Sequence, residues 1–213
     1  MNKLNLKYPS LVLINGRQGS GKSWLLSYIM REAYVKNEFD YGIVFSNTLF
    51  EGTFQYIPKK YRYDDFDEDK VKSLMALQKK HNNKRAFIIF DDCLDDENQW
   101  NNQTIKKLTT QLRHYNISMI ITTQYPHMIP PRIRANAMYS MFLDVGSGIR
   151  ELGAIYQCYG NRFPSFQEFK QFYFENIKNH QFIMWNKDKQ EYSVYRAPEN
   201  IPHFKLKYNR KQK

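Results

Sequence analysis

Five short apolar runs punctuate the chain: residues 10–14 (SLVLI), 42–46 (GIVFS), 86–90 (AFIIF), 118–122 (SMIIT) and 140–145 (SMFLDV). Each is rich in β-branched or aromatic residues, is too short for a helix and is bounded by turn-forming or polar residues. That pattern predicts strands buried on both faces. Helical patterns fill the gaps at about 22–37, 67–82 and 99–115. Strands alternating with helices predict a mostly parallel sheet with crossover helices, an α/β three-layer sandwich. Further on, Ser165 followed by Glu168 predicts a capping box for a helix reaching about 178. Residues 181–185 and 191–196 flank Asn-Lys-Asp-Lys, the pattern of a hairpin. The expected organisation is a single domain over 1–202, with a core of about 8–160, an extension of one helix and one hairpin over 161–202, and a tail from 203.

Composition narrows the class. With 213 residues and 42% hydrophobic content the chain can bury one sizeable core, so disorder is excluded as a description of the whole. The net charge of +11 favours a polyanionic partner, nucleic acid first and a membrane surface second. The acids concentrate in two stretches, Asp64 to Asp69 and Asp91 to Glu97, which leaves the remaining surface more basic than the average. From His203 onward there are Lys205, Lys207, Arg210, Lys211 and Lys213 and no acid, which predicts a solvated basic tail. No run approaches the ~18 apolar residues of a membrane span, and the N-terminus lacks a signal pattern, so a soluble, unexported chain is expected. Cys93 and Cys158 have neither a disulfide framework nor metal-ligand spacing, and they read as reduced thiols. The histidines likewise show no ligand spacing.

The first predicted strand runs into Gly16-Arg17-Gln18-Gly19-Ser20-Gly21-Lys22-Ser23, which fits G-x-x-x-x-G-K-[ST]. A strand precedes it and an apolar helical stretch beginning at Trp24 follows, which is the context this motif requires. Glycines let backbone N–H groups curl around a phosphate, and the helix N-terminus adds its positive dipole. Lys22 is placed to reach the β and γ oxygens, and the Ser23 hydroxyl to ligate Mg²⁺. The stretch Gly16 to Trp24 is therefore the candidate nucleotide-binding segment.

Asp91 and Asp92 close the 86–90 run, at the edge where a parallel sheet places its ligands. Asp91 is the candidate for the Mg²⁺ shell and Asp92 the candidate base, with Asp95, Asp96 and Glu97 as competitors. Gln124 follows the 118–122 run on the same edge, where a neutral amide can orient water and sense a γ-phosphate. Arg113 ends the preceding helix; taken alone it is a C-terminal capping cation. Lys59, Lys60 and Arg62, with Arg132 and Arg134, are candidate contacts to a nucleic-acid backbone.

The phosphate loop, FIIFDD, LRHYNISMIITTQ and the Pro-rich IPPRIRANA together resemble the FtsK/HerA superfamily of DNA-pumping ATPases over about residues 8–160. Within it the chain is most similar to the compact genome-packaging ATPases of poxvirus-type large DNA viruses, virophages and related membrane-containing viruses. The resemblance implies a P-loop NTPase fold, ATP and Mg²⁺ as cofactors, and a homo-oligomeric ring, hexameric or pentameric, around double-stranded DNA. It implies viral origin, action in the host-cell cytoplasm or at the virion vertex, and a capsid or virion membrane partner. It also implies that Arg113 is a finger into a neighbouring subunit's site, that Gln124 is the sensor, and that the 118–122 strand lies between the first and third, which puts Gln124 beside Lys22 and Asp92. Many members carry Glu where this chain has the shorter Asp92. Two other readings stay open: a P-loop kinase of a small substrate, and a virion assembly or membrane-docking protein switched by nucleotide.

Overall fold

The computed structural model of the chain describes residues 4–208 other than 50, 51, 95, 147 and 179, and leaves aside the side chain of 97. Its strands are β1 (Leu11–Asn15), β2 (Tyr41–Ser46), β3 (Arg62–Tyr63), β4 (Ala86–Asp91), β5 (Ile117–Thr123), β6 (Tyr139–Phe142), β7 (Gln181–Asn186) and β8 (Glu191–Arg196). Its helices are α1 (Lys22–Val35), α2 (Glu68–Lys80), α3 (Glu97–Asn101), α4 (Gln103–Tyr115), α5 (Pro131–Asn136), α6 (Ile149–Tyr159) and α7 (Phe166–Asn176).

All eight strands join one sheet in the order β3-β2-β4-β5-β1-β6-β7-β8. Neighbours from β3 to β6 pair in parallel, whereas β6–β7 and β7–β8 are antiparallel. Both faces of the central strands are covered, which is why they read as unbroken apolar runs. Leu11, Leu13, Ile88, Phe90, Met119 and Ile121 face one layer, while Val12, Ile14, Phe87, Ile89 and Ile120 face the other. The first layer holds α2 through Val71 and Leu74 and α4 through Ile105 and Leu108. The second holds α1 through Leu25, Leu26, Ile29 and Met30. Each such side chain contributes about 1.5–3 kcal/mol on full burial. The expected three-layer P-loop architecture is therefore present, and β5 does lie between β1 and β4.

Several expectations need correction. The helix expected over 99–115 is two helices, because the Asn102 side chain accepts from Thr104 N and Ile105 N and caps a fresh start at Gln103. The helix α6, with Leu152, Ile155 and Tyr159 buried on one face, was not foreseen. The cap at Ser165 is present, its hydroxyl accepting from Glu168 N at 3.2 Å; Glu168 meets that same hydroxyl at 3.4 Å instead of the capping residue's N–H. The expected hairpin is present as β7 and β8, and β7 pairs with β6 so that it continues the main sheet. Finally, residues 203–208 are not a solvated tail. Phe204 and Leu206 are buried while Lys205 and Lys207 stay exposed, and Leu206 N donates to Tyr56 O at 2.7 Å. The expectation for Arg210, Lys211 and Lys213 falls outside the described residues.

Candidate active site

The phosphate loop leaves β1 and enters α1 without a break. Gly19 and Gly21 take positive φ of 74° and 95°, backbone that a Cβ would strain. At Gly16 the constraint is contact instead: a Cβ would run into Ser20 Oγ and meet Leu143 Cβ at 3.1 Å. Gly16 N donates to Thr123 O at 3.1 Å, Arg17 N to Asp144 O at 2.9 Å and Ser20 N to Arg17 O at 3.2 Å. The first half of the loop is thus fastened to the ends of β5 and β6. The Arg17 side chain follows the same rule. Its Nε and Nη2 reach Asp144 Oδ2 at 2.8 and 2.7 Å, so it clamps the loop from outside rather than lining it. Gln18 is exposed.

Lys22 is only 6% exposed, and its ammonium is fully engaged. Nζ donates to Gly16 O at 3.0 Å and Arg17 O at 3.3 Å and pairs with Asp92 Oδ2 at 3.1 Å. A phosphate oxygen entering the loop has to exchange with one of these. The carboxylate is the exchangeable partner, because the carbonyls belong to the loop itself.

Sheet register assembles the acidic half. Ser46 and Asp91 end β2 and β4 level with Thr122, the last residue but one of β5, paired as Ser46 with Asp91 and Asp91 with Thr122. Ser46 Oγ donates to Asp91 Oδ2 at 2.9 Å and Thr122 Oγ1 donates to Asp91 Oδ1 at 2.7 Å. Burial pushes the Asp91 carboxyl above the ordinary carboxylate range and nearby Asp92 adds to that, while the two hydroxyls and Lys22 pull it back. Thr122 Oγ1 also accepts from Asp92 N at 3.1 Å, and Asn47 Nδ2 donates to Asp92 O at 3.3 Å. Those bonds hold Asp92 in left-handed backbone with φ of 47°, which turns its carboxylate toward Lys22. In the sequence Ser46 and Thr122 stand only as strand ends and Asn47 carries no signal, because cross-strand register decides their role.

Gln124 directly follows β5, whose Thr123 bonds Gly16, so it stands on the loop edge beside the acids. Of the competing acids, Asp96 is occupied as the cap of α3, accepting from Gln99 N at 2.9 Å; Asp95 lies outside the described residues, as does the side chain of Glu97. Arg113 is not brought to this edge. It is exposed in the last turn of α4, which leads into the opposite end of β5, and borders a cavity of about 660 Å³ with His114, Asn136 and Lys187. Seven strand residues at ~3.3 Å each put it about 20 Å from its own phosphate loop.

The donor set suits Mg²⁺. Asp91 and Ser23 offer hard oxygens, and among the described residues no group of three or more His, Cys, Asp or Glu could hold a metal alone. One or two protein ligands completed by phosphate oxygens is how Mg²⁺ is usually held. Cys93 is buried, and burial pushes its thiol well up. Of the basic candidates, Arg62 donates to Ile57 O and Gln55 O, Arg132 to Trp100 O and Arg134 to Ile129 O, so these guanidiniums tie down local backbone. Lys59 and Lys60 are exposed. No described helix is long and apolar enough to cross a membrane.

Comparison with known proteins agrees with this fold. The DNA-packaging ATPase B204 of Sulfolobus turreted icosahedral virus superposes with a TM-score of 0.67 at 17% identity, over 90% of this chain and 98% of that one. That likeness shows a shared fold. Uncharacterized protein 075L of Invertebrate iridescent virus 6 is 28% identical over 76% of this chain, and protein 088R of Invertebrate iridescent virus 3 is 28% identical over 80%. The chain spans 65% and 67% of those relatives' lengths, about two thirds. The expected resemblance to viral packaging ATPases thus holds in fold, and the sequence relatives are proteins of large DNA viruses. Residues 1–128 match the NB-ARC domain family, a segment that holds the phosphate loop, both aspartates and Gln124. More than half of the chain lies in that match, and the chain belongs to the NB-ARC domain family of P-loop NTPases.

Proposed function

We propose that the chain hydrolyses MgATP and uses the energy to move double-stranded DNA into a viral capsid, working as a ring of identical subunits. The observation that carries this reading is the division of the machinery between two edges of one sheet. Lys22, Asp91, Asp92 and Gln124 gather at one edge and Arg113 stands at the other, where it can serve only another copy's nucleotide. Ser23 and Asp91 would hold Mg²⁺, which would offset negative charge on the phosphates. Lys22 exchanges Asp92 for a phosphate oxygen. Asp92, released, takes the proton of a water that Gln124 orients, and a neighbour's Arg113 offsets the charge that builds on the transferring group. The +11 charge and the exposed Lys59 and Lys60 suit a phosphate backbone. B204, named as a DNA-packaging ATPase, supports the same reading. The host-cell cytoplasm or the virion vertex, with a capsid or virion membrane partner, is the matching place of action.

Mixing two inactive variants tests it. An Arg113→Ala subunit keeps its cradle but cannot complete a neighbour's site, while Lys22→Ala loses its cradle but can lend its arginine. Each alone should be inactive, and the mixture should recover concentration-dependent hydrolysis stimulated by double-stranded DNA, since arginine fingers are worth about 10³–10⁵ in rate. Wild-type turnover by Arg113→Ala, or silence from a mixture that demonstrably co-assembles, refutes the trans arrangement. Turnover stimulated by a small acceptor and indifferent to DNA would favour a kinase instead.

A further inference from the structure

Between Gln124 and α5 the chain reads Tyr125-Pro126-His127-Met128, a single tight helical turn that follows the phosphate-loop end of β5. Pro126 and Ile129 are buried and anchor it; Tyr125 N donates to Thr123 Oγ1 at 3.1 Å and Met128 N to Tyr125 O at 3.0 Å. Held that way, the turn puts two large apolar side chains into solvent, Tyr125 at 49% exposure and Met128 at 39%, with His127 exposed between them. We propose that this tip seats in the Arg113 cavity of the next subunit, a knob-and-hole contact that joins copies of the chain head to tail. The contact rests on the trans role of Arg113 proposed above and gives that role its docking surfaces.

The two surfaces stand at opposite edges of the sheet, as a head-to-tail contact requires. The tip follows the C-terminal end of β5, whereas the cavity of about 660 Å³ opens at the N-terminal ends of β1 and β6, among the end of α4, the end of α5 and the turn after β7. Proximity to the phosphate makes them meet. An arginine that serves a neighbour's γ-phosphate has to come up beside Lys22, Asp92 and Gln124, and the Cα of Tyr125 is ~3.8 Å from that of Gln124. The wall that carries Arg113 therefore closes on the tip. A docking that kept the tip out of the cavity would hold Arg113 back from the phosphate.

The chemistry of the two sides matches. Leu112 and Met138 are buried and give the cavity an apolar floor, and Arg113, His114 and Lys187 stand exposed around it. Lys187 Nζ donates to Ala135 O and keeps two donors over. Cations pack on the face of a tyrosine ring, and Tyr and Arg are the residue types that most often anchor interfaces. Asp188, the acid on the same rim, is an acceptor for the phenol hydroxyl. The tip is also shaped before docking: the rings of Tyr125 and His127 stand edge to face with centroids 6.0 Å apart, and Pro126 fixes the backbone between them, so little side-chain freedom is lost on contact. The cavity lies within the range of about 300–1,000 Å³ that encloses a drug-sized molecule, room enough for the side chains of one turn.

Cross-linking and assembly of the full chain with MgATP and double-stranded DNA test the contact. In a Cys158→Ser background, Tyr125→Cys on the tip and Asn136→Cys on the cavity rim should give a covalent dimer with a short bis-maleimide when the two variants are mixed, and none when either is treated alone. Tyr125→Ala should raise the protein concentration needed for half-maximal assembly about tenfold or more, the loss of an interface anchor, as followed by sedimentation. Tyr125→Phe should stay close to wild type, and the melting temperature should be unchanged in both, because the side chain is exposed. No link from a mixture that demonstrably co-assembles, or wild-type assembly by Tyr125→Ala, overturns the contact and leaves the ring standing. A link within either cysteine variant alone shows like edges meeting, which overturns the contact together with the trans placement of Arg113. Wild type that stays monomeric at every concentration overturns the ring reading, and the contact with it.

Discussion

Replacing Thr122 by Val isolates the hydroxyl that joins the two aspartates. The change is close to isosteric at a buried position, so cavity and packing terms are small. What is lost is a donor to Asp91 Oδ1 at 2.7 Å and an acceptor for Asp92 N at 3.1 Å. A hydrogen bond to a charged group is worth about 1.5–3 kcal/mol and a neutral one about 1 kcal/mol, so the expected destabilisation at neutral pH is about 2–4 kcal/mol. Part of that loss depends on protonation. Thr122 stabilises the charged form of Asp91 against the effect of burial, so its removal raises the folded-state pKa further. The penalty should therefore be greatest where Asp91 is ionised and shrink as pH falls through that raised value. Urea unfolding of wild type, Thr122→Val and Thr122→Ser from neutral to acid pH measures it, with Ser restoring most of the loss. ATP turnover should fall about tenfold or more in Thr122→Val, because Asp92 loses a bond that holds its left-handed backbone and aims it at Lys22. Unchanged stability and turnover in Thr122→Val would show that the hydroxyl holds neither carboxylate.

Asp92→Asn should keep nucleotide binding, since the cradle is intact, while hydrolysis drops about 10²-fold or more with the loss of the base; single-turnover kinetics beside a binding isotherm separate the two, and normal turnover would move the role to another acid. Asp91→Asn should lose hydrolysis yet stabilise the fold at neutral pH. Its folded pKa is raised from 3.8, chiefly by burial, so this carboxyl contributes stability fully below the unfolded value and loses it as pH rises through the folded one. The gain of Asn over Asp should vanish in acid, and thermal melts across pH check the sign.

The strands, the phosphate loop and the acid pair were legible because each follows from local pattern. A strand buried on both faces is an apolar run, and the loop motif carries its own strand and helix context. Boundaries moved where side chains caught backbone, as Asn102 did in starting α4 afresh. The helix α6 left a readable trace, Leu152, Ile155 and Tyr159 on one face after a Gly-rich turn, but a strand-centred reading passes over it. At the C-terminus, lysines obscured a period of two: Phe204 and Leu206 point inward while Lys205 and Lys207 point out. Ser46 and Thr122 lay beyond reach for a different reason. Nothing along the chain says that residues 45 and 31 positions from one aspartate lie level with it on the neighbouring strands.

The position of β5 explains why these features belong together. All seven of its residues are buried, and it pairs with β1 on one side and β4 on the other. At its C-terminal end Thr122 binds both aspartates and Thr123 binds the first glycine of the loop, with Gln124 next in the chain. At its N-terminal end it receives α4 one turn after Arg113. A close-packed strand transmits displacement along its length rather than absorbing it. In the proposed ring, a shift of Arg113 as it engages a neighbour's nucleotide therefore bears on the subunit's own Thr122 and Gln124. That gives successive sites a mechanical reason to fire in turn, and it makes α4 and β5, rather than the phosphate loop, the place where variants should uncouple hydrolysis from DNA movement.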